Sequence, residues 1–145
     1  MRQPNGYILL VDDSEPDVEM TQRALKDAGV TNPVTVIADG ADALDFLLRR
    51  GAFTGRPGGN PMLILMDVKM PRMDGIETLN EIRCVESLDS VPVVMLTSSR
   101  QDTDLLKSYK FGANAYVIKP VDYDEFTKAI NAINLFWIDT NQPPS

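Results

Sequence analysis

Five short apolar runs alternate with segments in which apolar residues recur every three or four positions. The runs are 7–11 (YILLV), 34–37 (VTVI), 62–66 (MLILM), 91–96 (VPVVML) and 115–118 (AYVI). Apolar runs of this length, bounded by Pro, Gly or acids, predict strands buried on both faces. The intervening segments predict helices. Ser14 suits an N-cap, Pro16 the first turn and Gly29 the stop, with Val18, Thr21, Leu25 and Ala28 at helical spacing between them. A second helix is predicted over 41–50, with Ala43, Leu44, Leu47 and Leu48 inward, and a third over 75–85, with Ile76, Leu79 and Ile82 inward. A fourth, over 102–110, carries Leu105, Leu106 and Tyr109. The last, over 122–138, has one stripe through Phe126, Ala129, Ile130, Ile133, Phe136 and Trp137.

Strand alternating with helix five times predicts an α/β fold, a mostly parallel sheet with helices on both faces. The doubly wound order that suits five strands is 2-1-3-4-5, in which strand 1 lies beside strand 3 at the switch point. The chain reads as a single domain over 1–145, with a core at about 6–138, a tail at 139–145 and no internal repeat. Residues 51–61 (GAFTGRPGGNP) form a loop. Its glycines do not make a phosphate-cradling loop, since no Gly-Lys-Ser/Thr ending is present and a strand follows.

Composition narrows the function. A net charge of −7 argues against nucleic acid or an anionic membrane as the main partner. No apolar run approaches the ~20 residues of a membrane span, and the N-terminus lacks a signal-peptide core, so a cytoplasmic location is expected. The single cysteine, Cys84, excludes an internal disulfide and reads as a packed small residue on a helix. The absence of histidine excludes Ser-His-Asp and Cys-His catalysis and His-ligated zinc. Any metal here is a hard cation held by oxygen.

The strand ends carry the chemistry. Strand 1 ends in Asp12-Asp13, strand 3 in Asp67, strand 4 in Thr97 and strand 5 in Lys119. Parallel strands bring all of these to one edge, and the strand order sets Asp12 and Asp13 beside Asp67. A lone Asp at a strand end reads more readily as a helix cap or turn residue, and the alternative for the whole set is a structural cluster of caps and ion pairs. Their convergence favours a site. Crowded carboxylates repel unless a cation joins them, and Mg²⁺ is the natural one. With Lys119 and Thr97 facing Asp67, the edge could hold an anion there. A phosphoryl group fits, with Asp67 as its nucleophilic acceptor.

Asp12-Asp13, Asp67 with Met70-Pro71 and Asp74-Gly75, Thr97-Ser98 and Lys119-Pro120 together resemble a response-regulator receiver domain across nearly the whole chain. The resemblance implies that Asp67 takes a phosphoryl group from a phosphohistidine on a sensor histidine kinase, with Mg²⁺ bound through Asp13, Asp67 and the Lys69 backbone carbonyl. It implies that Asp12 holds a metal-bound water or supports the ligands, that Lys119 pairs with the phosphoryl group, and that the Lys119-Pro120 bond is cis. Phosphorylation would draw the Thr97 hydroxyl toward Asp67 and let Tyr116 turn inward, reshaping the surface of the fourth helix, fifth strand and last helix for a protein target. Tyr116 also reads, with equal weight, as a strand residue packed for stability.

Two features refine this. Lys69, two past the acceptor, departs from the family's usual choices and bears on the phosphoryl lifetime. Leu135, Phe136, Trp137 and Ile138 exceed what one helix stripe can bury, which predicts a homodimer through the face of the fourth helix, fifth strand and last helix. The Phe136-Trp137 ending, the long loop before strand 3 and Lys119-Pro120-Val121-Asp122 are similar to single-domain regulators paired with phytochrome-type kinases. The chain stops after the last helix, so no output domain is expected and the only catalysis expected is its own phosphoryl transfer and dephosphorylation. Three other readings fit these residues less well. An aspartyl-phosphate hydrolase wants a second Asp where Lys69 stands, a flavin carrier wants a phosphate-cradling loop where Asp12-Asp13 stand, and a degenerate receiver would act without phosphate.

Overall fold

The computed structural model describes residues 6–97, 115–118 and 123–133, with the backbone alone at 115, 116 and 118. Five strands, β1 (Ile8–Val11), β2 (Val34–Ile37), β3 (Leu63–Asp67), β4 (Val93–Thr97) and β5 (Ala115–Ile118), form one sheet in the order β2-β1-β3-β4-β5. Every pairing is parallel. The described helices are α1 (Glu15–Asp27), α2 (Gly40–Leu48), α3 (Gly75–Arg83) and α4 (Tyr123–Ile133). The helix expected over 102–110, the Lys119-Pro120 bond and residues 134–145 lie outside the described residues.

Side-chain alternation along each strand divides the interior into two layers. Leu9, Val11, Ile64, Met66, Val93 and Met95 face α2 and α3, packing on Leu44, Leu47, Leu79 and Ile82. Ile8, Leu10, Leu63, Leu65, Val94 and Leu96 face α1 and α4, packing on Leu25, Phe126, Ile130 and Ile133. The central strands are buried on both faces, which is why they read as unbroken apolar runs.

Local signals start the helices where the sheet needs them. The Ser14 side chain accepts the Asp17 N–H at 3.4 Å and opens α1. Gly29, just past the end of α1, takes φ +88°, a conformation that glycine adopts without strain. Asp74 caps α3 in a reciprocal box: its carboxylate accepts the Glu77 N–H at 2.8 Å, and the Glu77 carboxylate accepts the Asp74 N–H at 3.3 Å.

Three expectations change. Phe46 is buried, although it lies off the predicted inner face of α2, because it packs edge-on to Tyr7 and Phe53 beneath the 51–61 loop. That loop contains a short 3₁₀ turn, Gly51–Phe53. It is pinned by Arg56, whose guanidinium lies 4.1 Å from the Phe46 ring centroid and donates to the Phe46 carbonyl at 2.6 Å. Cys84 is exposed, not packed, because α3 ends at Arg83 and leaves Cys84 as its C-cap.

Candidate functional site

The two central strands set the site. Val11 pairs with Met66, so the residues that follow, Asp12 and Asp67, leave adjacent strands side by side. The sheet's hydrogen bonding continues past the strand ends: the Asp12 N–H donates to the Ile37 carbonyl at 3.0 Å, and the Val68 N–H to the Leu96 carbonyl at 2.9 Å. The carboxylates therefore start from sheet backbone and not from a free loop. The Ser14 N–H donates to Asp12 Oδ1 at 3.0 Å and orients that carboxylate.

Asp12, Asp13 and Asp67 each offer a carboxylate oxygen, and these oxygens lie within 4.8 Å of one another. Asp12 and Asp67 are buried, at 2% and 6% exposure, whereas Asp13 is exposed. Hard oxygen donors gathered at this distance fit a hard divalent cation. A groove between α1 and β2 adjoins Asp12 and Asp13 and is lined also by Glu15, Val18, Glu19, Val36 and Ala38, so its charged residues are all acidic, which favours a cation nearby.

Thr97, fully buried, ends β4 next to Asp67, which is in register with Leu96. Thr97 is in turn in register with Ile118 of β5, the residue before Lys119. Lys69 is exposed. Lys119 and the Tyr116 side chain lie outside what is described, as do Leu135, Phe136, Trp137 and Ile138. The structure thus brings together Asp12, Asp13, Asp67 and Thr97.

The turn after Asp67 is tightly built. The Gly75 N–H donates to the Val68 carbonyl at 2.8 Å, closing the turn on the strand end. A side chain at Gly75 would collide with the Asp67 carbonyl oxygen and stand 2.9 Å from Met95 Cε. Glycine is required there by close approach, and its backbone φ is ordinary.

Sequence reasoning missed Asp39. It follows β2 by two residues, is 8% exposed and caps α2, its Oδ1 accepting the Asp42 N–H at 2.8 Å. Arg72, in the turn after Asp67, donates to Asp39 Oδ2 through Nε at 3.2 Å and also through Nη2. Burial raises the Asp39 pKa, but the Asp42 N–H and the Arg72 guanidinium outweigh it, so the carboxyl lies below its ordinary value. The Asp39-Gly40 pair is a visible helix-start signal; its partner across 33 residues is not.

A parallel sheet in this order, with an acidic trio where its two central strands end, has the plan of a flavodoxin-like receiver fold. The chain belongs to the response regulator receiver domain family, which it matches over residues 8–131. It is 34% identical over 142 residues to response regulator Rcp1 of Synechocystis, covering 98% of this chain and 95% of Rcp1. A crystal structure of the phosphorylated cyanobacterial phytochrome response regulator RcpA superposes with a TM-score of 0.86 at 32% identity, covering 97% of this chain and 99% of RcpA. The Mn²⁺-bound form of Rcp1 superposes at 0.85 and 34% identity, covering 97% and 100%. The bacteriophytochrome response regulator RtBRR superposes at 0.79 and 47% identity, covering 96% and 84%.

Proposed function

We propose that this chain is a single-domain response regulator of a two-component phosphorelay, accepting a phosphoryl group on Asp67 from a sensor histidine kinase. The observation that carries this reading is the Asp12, Asp13 and Asp67 cluster at adjacent strand ends. A carboxylate oxygen of Asp67 attacks phosphorus; the new O–P bond forms as the donor's N–P bond breaks, and the histidine leaves with the electron pair. Asp13, Asp67 and the Lys69 carbonyl hold the divalent ion, Asp12 supports them, and the ion supplies neutralisation of the carboxylate and phosphoryl charge. The Mn²⁺-bound form of Rcp1 supports a divalent ion in a relative, and Mg²⁺ is the cation proposed here. Hydrolysis of the acyl phosphate regenerates Asp67, so the catalysis proposed is the chain's own phosphoryl transfer and dephosphorylation.

Lys119 pairs with the phosphoryl group and the Thr97 hydroxyl donates to one of its oxygens, a charge-assisted bond. Tyr116 then turns inward, and Leu135, Phe136, Trp137 and Ile138 serve self-association and contact with a downstream protein. The names of the relatives support a phytochrome-type kinase as donor. No helix among the described residues is long and apolar enough to cross a membrane, which suits a cytoplasmic regulator.

Intact mass after incubation with acetyl phosphate and Mg²⁺ tests the reading. Wild type gains one phosphoryl group, Asp67→Asn gains none, and EDTA prevents the gain. No gain in wild type, from acetyl phosphate or from a phosphorylated kinase, would make the chain a phosphorylation-independent interaction module.

A further inference from the structure

The turn over 68–74 carries the residues that follow the acceptor, and one side chain ties it to a different part of the fold. Arg72 takes φ 62°, a left-handed conformation that a non-glycine residue keeps only where its surroundings hold it. Its guanidinium supplies the hold. Nε and Nη2 both donate to Asp39 Oδ2, and Nη2 also lies 3.2 Å from Asp42 Oδ1. Both acids belong to the start of α2, where Asp39 is fixed by capping the helix. The same joint is closed by backbone. A Cβ on Gly40 would meet the Met73 carbonyl oxygen at 2.7 Å and collide with Thr78 Oγ1, so α2, the turn and α3 meet with no room for a side chain.

We propose that Arg72 is a positioning residue for the divalent-ion site. Bridging to Asp39 and Asp42, it holds the turn so that the Lys69 carbonyl stays placed for the ion, and the inference rests on the reading that the ion binds at Asp12, Asp13 and Asp67. The forked guanidinium suits the task because two donors converge on one carboxylate while a second acid is in reach; an ammonium has no such fork.

Charge and positioning make opposite predictions. A guanidinium near a cation site, acting by charge alone, weakens cation binding, so removing it would tighten binding. Removing a clamp loosens the ligand and weakens binding. Calorimetric titration of the full chain with Mn²⁺ and with Mg²⁺ separates the two, using wild type, Arg72→Ala, Arg72→Lys and Asp67→Asn. Amide hydrogen exchange over 68–74 in the metal-free proteins gives a second readout.

Positioning requires that Arg72→Ala weaken binding by roughly tenfold, the low end for residues behind metal ligands. Arg72→Lys, which keeps the charge and loses the fork, weakens it too, and the 68–74 amides of both variants exchange faster before metal is added. Unchanged or tighter binding in Arg72→Ala, or wild-type behaviour in Arg72→Lys, overturns the clamp while Asp67→Asn still abolishes binding. If wild type binds no ion, or Asp67→Asn binds as well as wild type, the ion-site reading fails and the clamp's role fails with it.

Discussion

Replacing Gly75 with alanine sets two rules against each other. Gly75 is the first residue of α3 and its φ is ordinary, so helix propensity alone favours alanine, by up to ~1 kcal/mol in a helix interior. Packing opposes it. The new methyl would collide with the Asp67 carbonyl oxygen and stand 2.9 Å from Met95 Cε and 3.0 Å from the Asp67 carbonyl carbon. Met95 is wholly buried in β4, and Asp67 is held in β3, so the nearest obstacle is sheet backbone and the helix must move. Overpacking of this kind costs about 1–3 kcal/mol, which leaves a net loss on the order of 1–2 kcal/mol and a fall in Tm of roughly 2–8 °C. The activity loss should be larger. Moving Asp67 or its turn by ~1 Å costs up to about a hundredfold in rate where geometry is exacting. Thermal unfolding and acetyl-phosphate labelling rates, each followed for wild type, Gly75→Ala and Gly55→Ala, give the comparison. Gly55 has no atom within 4 Å of its would-be Cβ and no positive φ, so its alanine variant should match wild type or gain slightly. A Gly75→Ala protein as stable and as readily labelled as wild type would refute the packing argument.

Asp39 should leave a signature in acid. Its folded pKa lies below its unfolded value, so its contribution is present above the unfolded value, near 3.9, and is lost as pH falls through the folded one. Urea unfolding across pH should show wild type more stable than Asp39→Asn at neutral pH, with the gap closing below about pH 4; a gap constant with pH would contradict this. Arg56→Ala should speed protease cleavage within 51–61 by several-fold while leaving global stability within about 2 kcal/mol, since Arg56 holds Phe46 and the Pro57 and Gly59 carbonyls. Arg56→Lys should recover little of the protection. Cys84, exposed at the end of α3, should react with one equivalent of a thiol reagent in the folded protein; reaction only after unfolding would return it to a packed position.

What could be read from the sequence was what local chemistry dictates. Asp12 and Asp67 were legible because each terminates an apolar run at the edge where parallel strands converge, and Thr97 because it ends β4. Asp74-Gly75 was legible as a motif, although its structural meaning, a capping box beside a contact that admits no side chain, was not. Asp39 went unnoticed because Ala38 separates it from the β2 run, and its importance comes from Arg72, a tertiary contact with no local trace. Phe46 was missed for a related reason: helical periodicity identifies the face toward the sheet, and Phe46 is buried by a loop. Cys84 was misplaced because α3 stops at Arg83, short of the predicted end.

The pairing of β1 with β3 has a consequence for how the chain is made. Ile8 is in register with Leu63, 55 residues later (63 − 8), so this contact closes a long loop and forms late relative to the local helices. Asp67 meets Asp12 and Asp13 only when that closure is complete. On a growing chain the acidic trio therefore cannot assemble until β3 has emerged from the ribosome and docked. Acquisition of the proposed cation binding would mark the moment at which the amino-terminal half of the sheet has found its register.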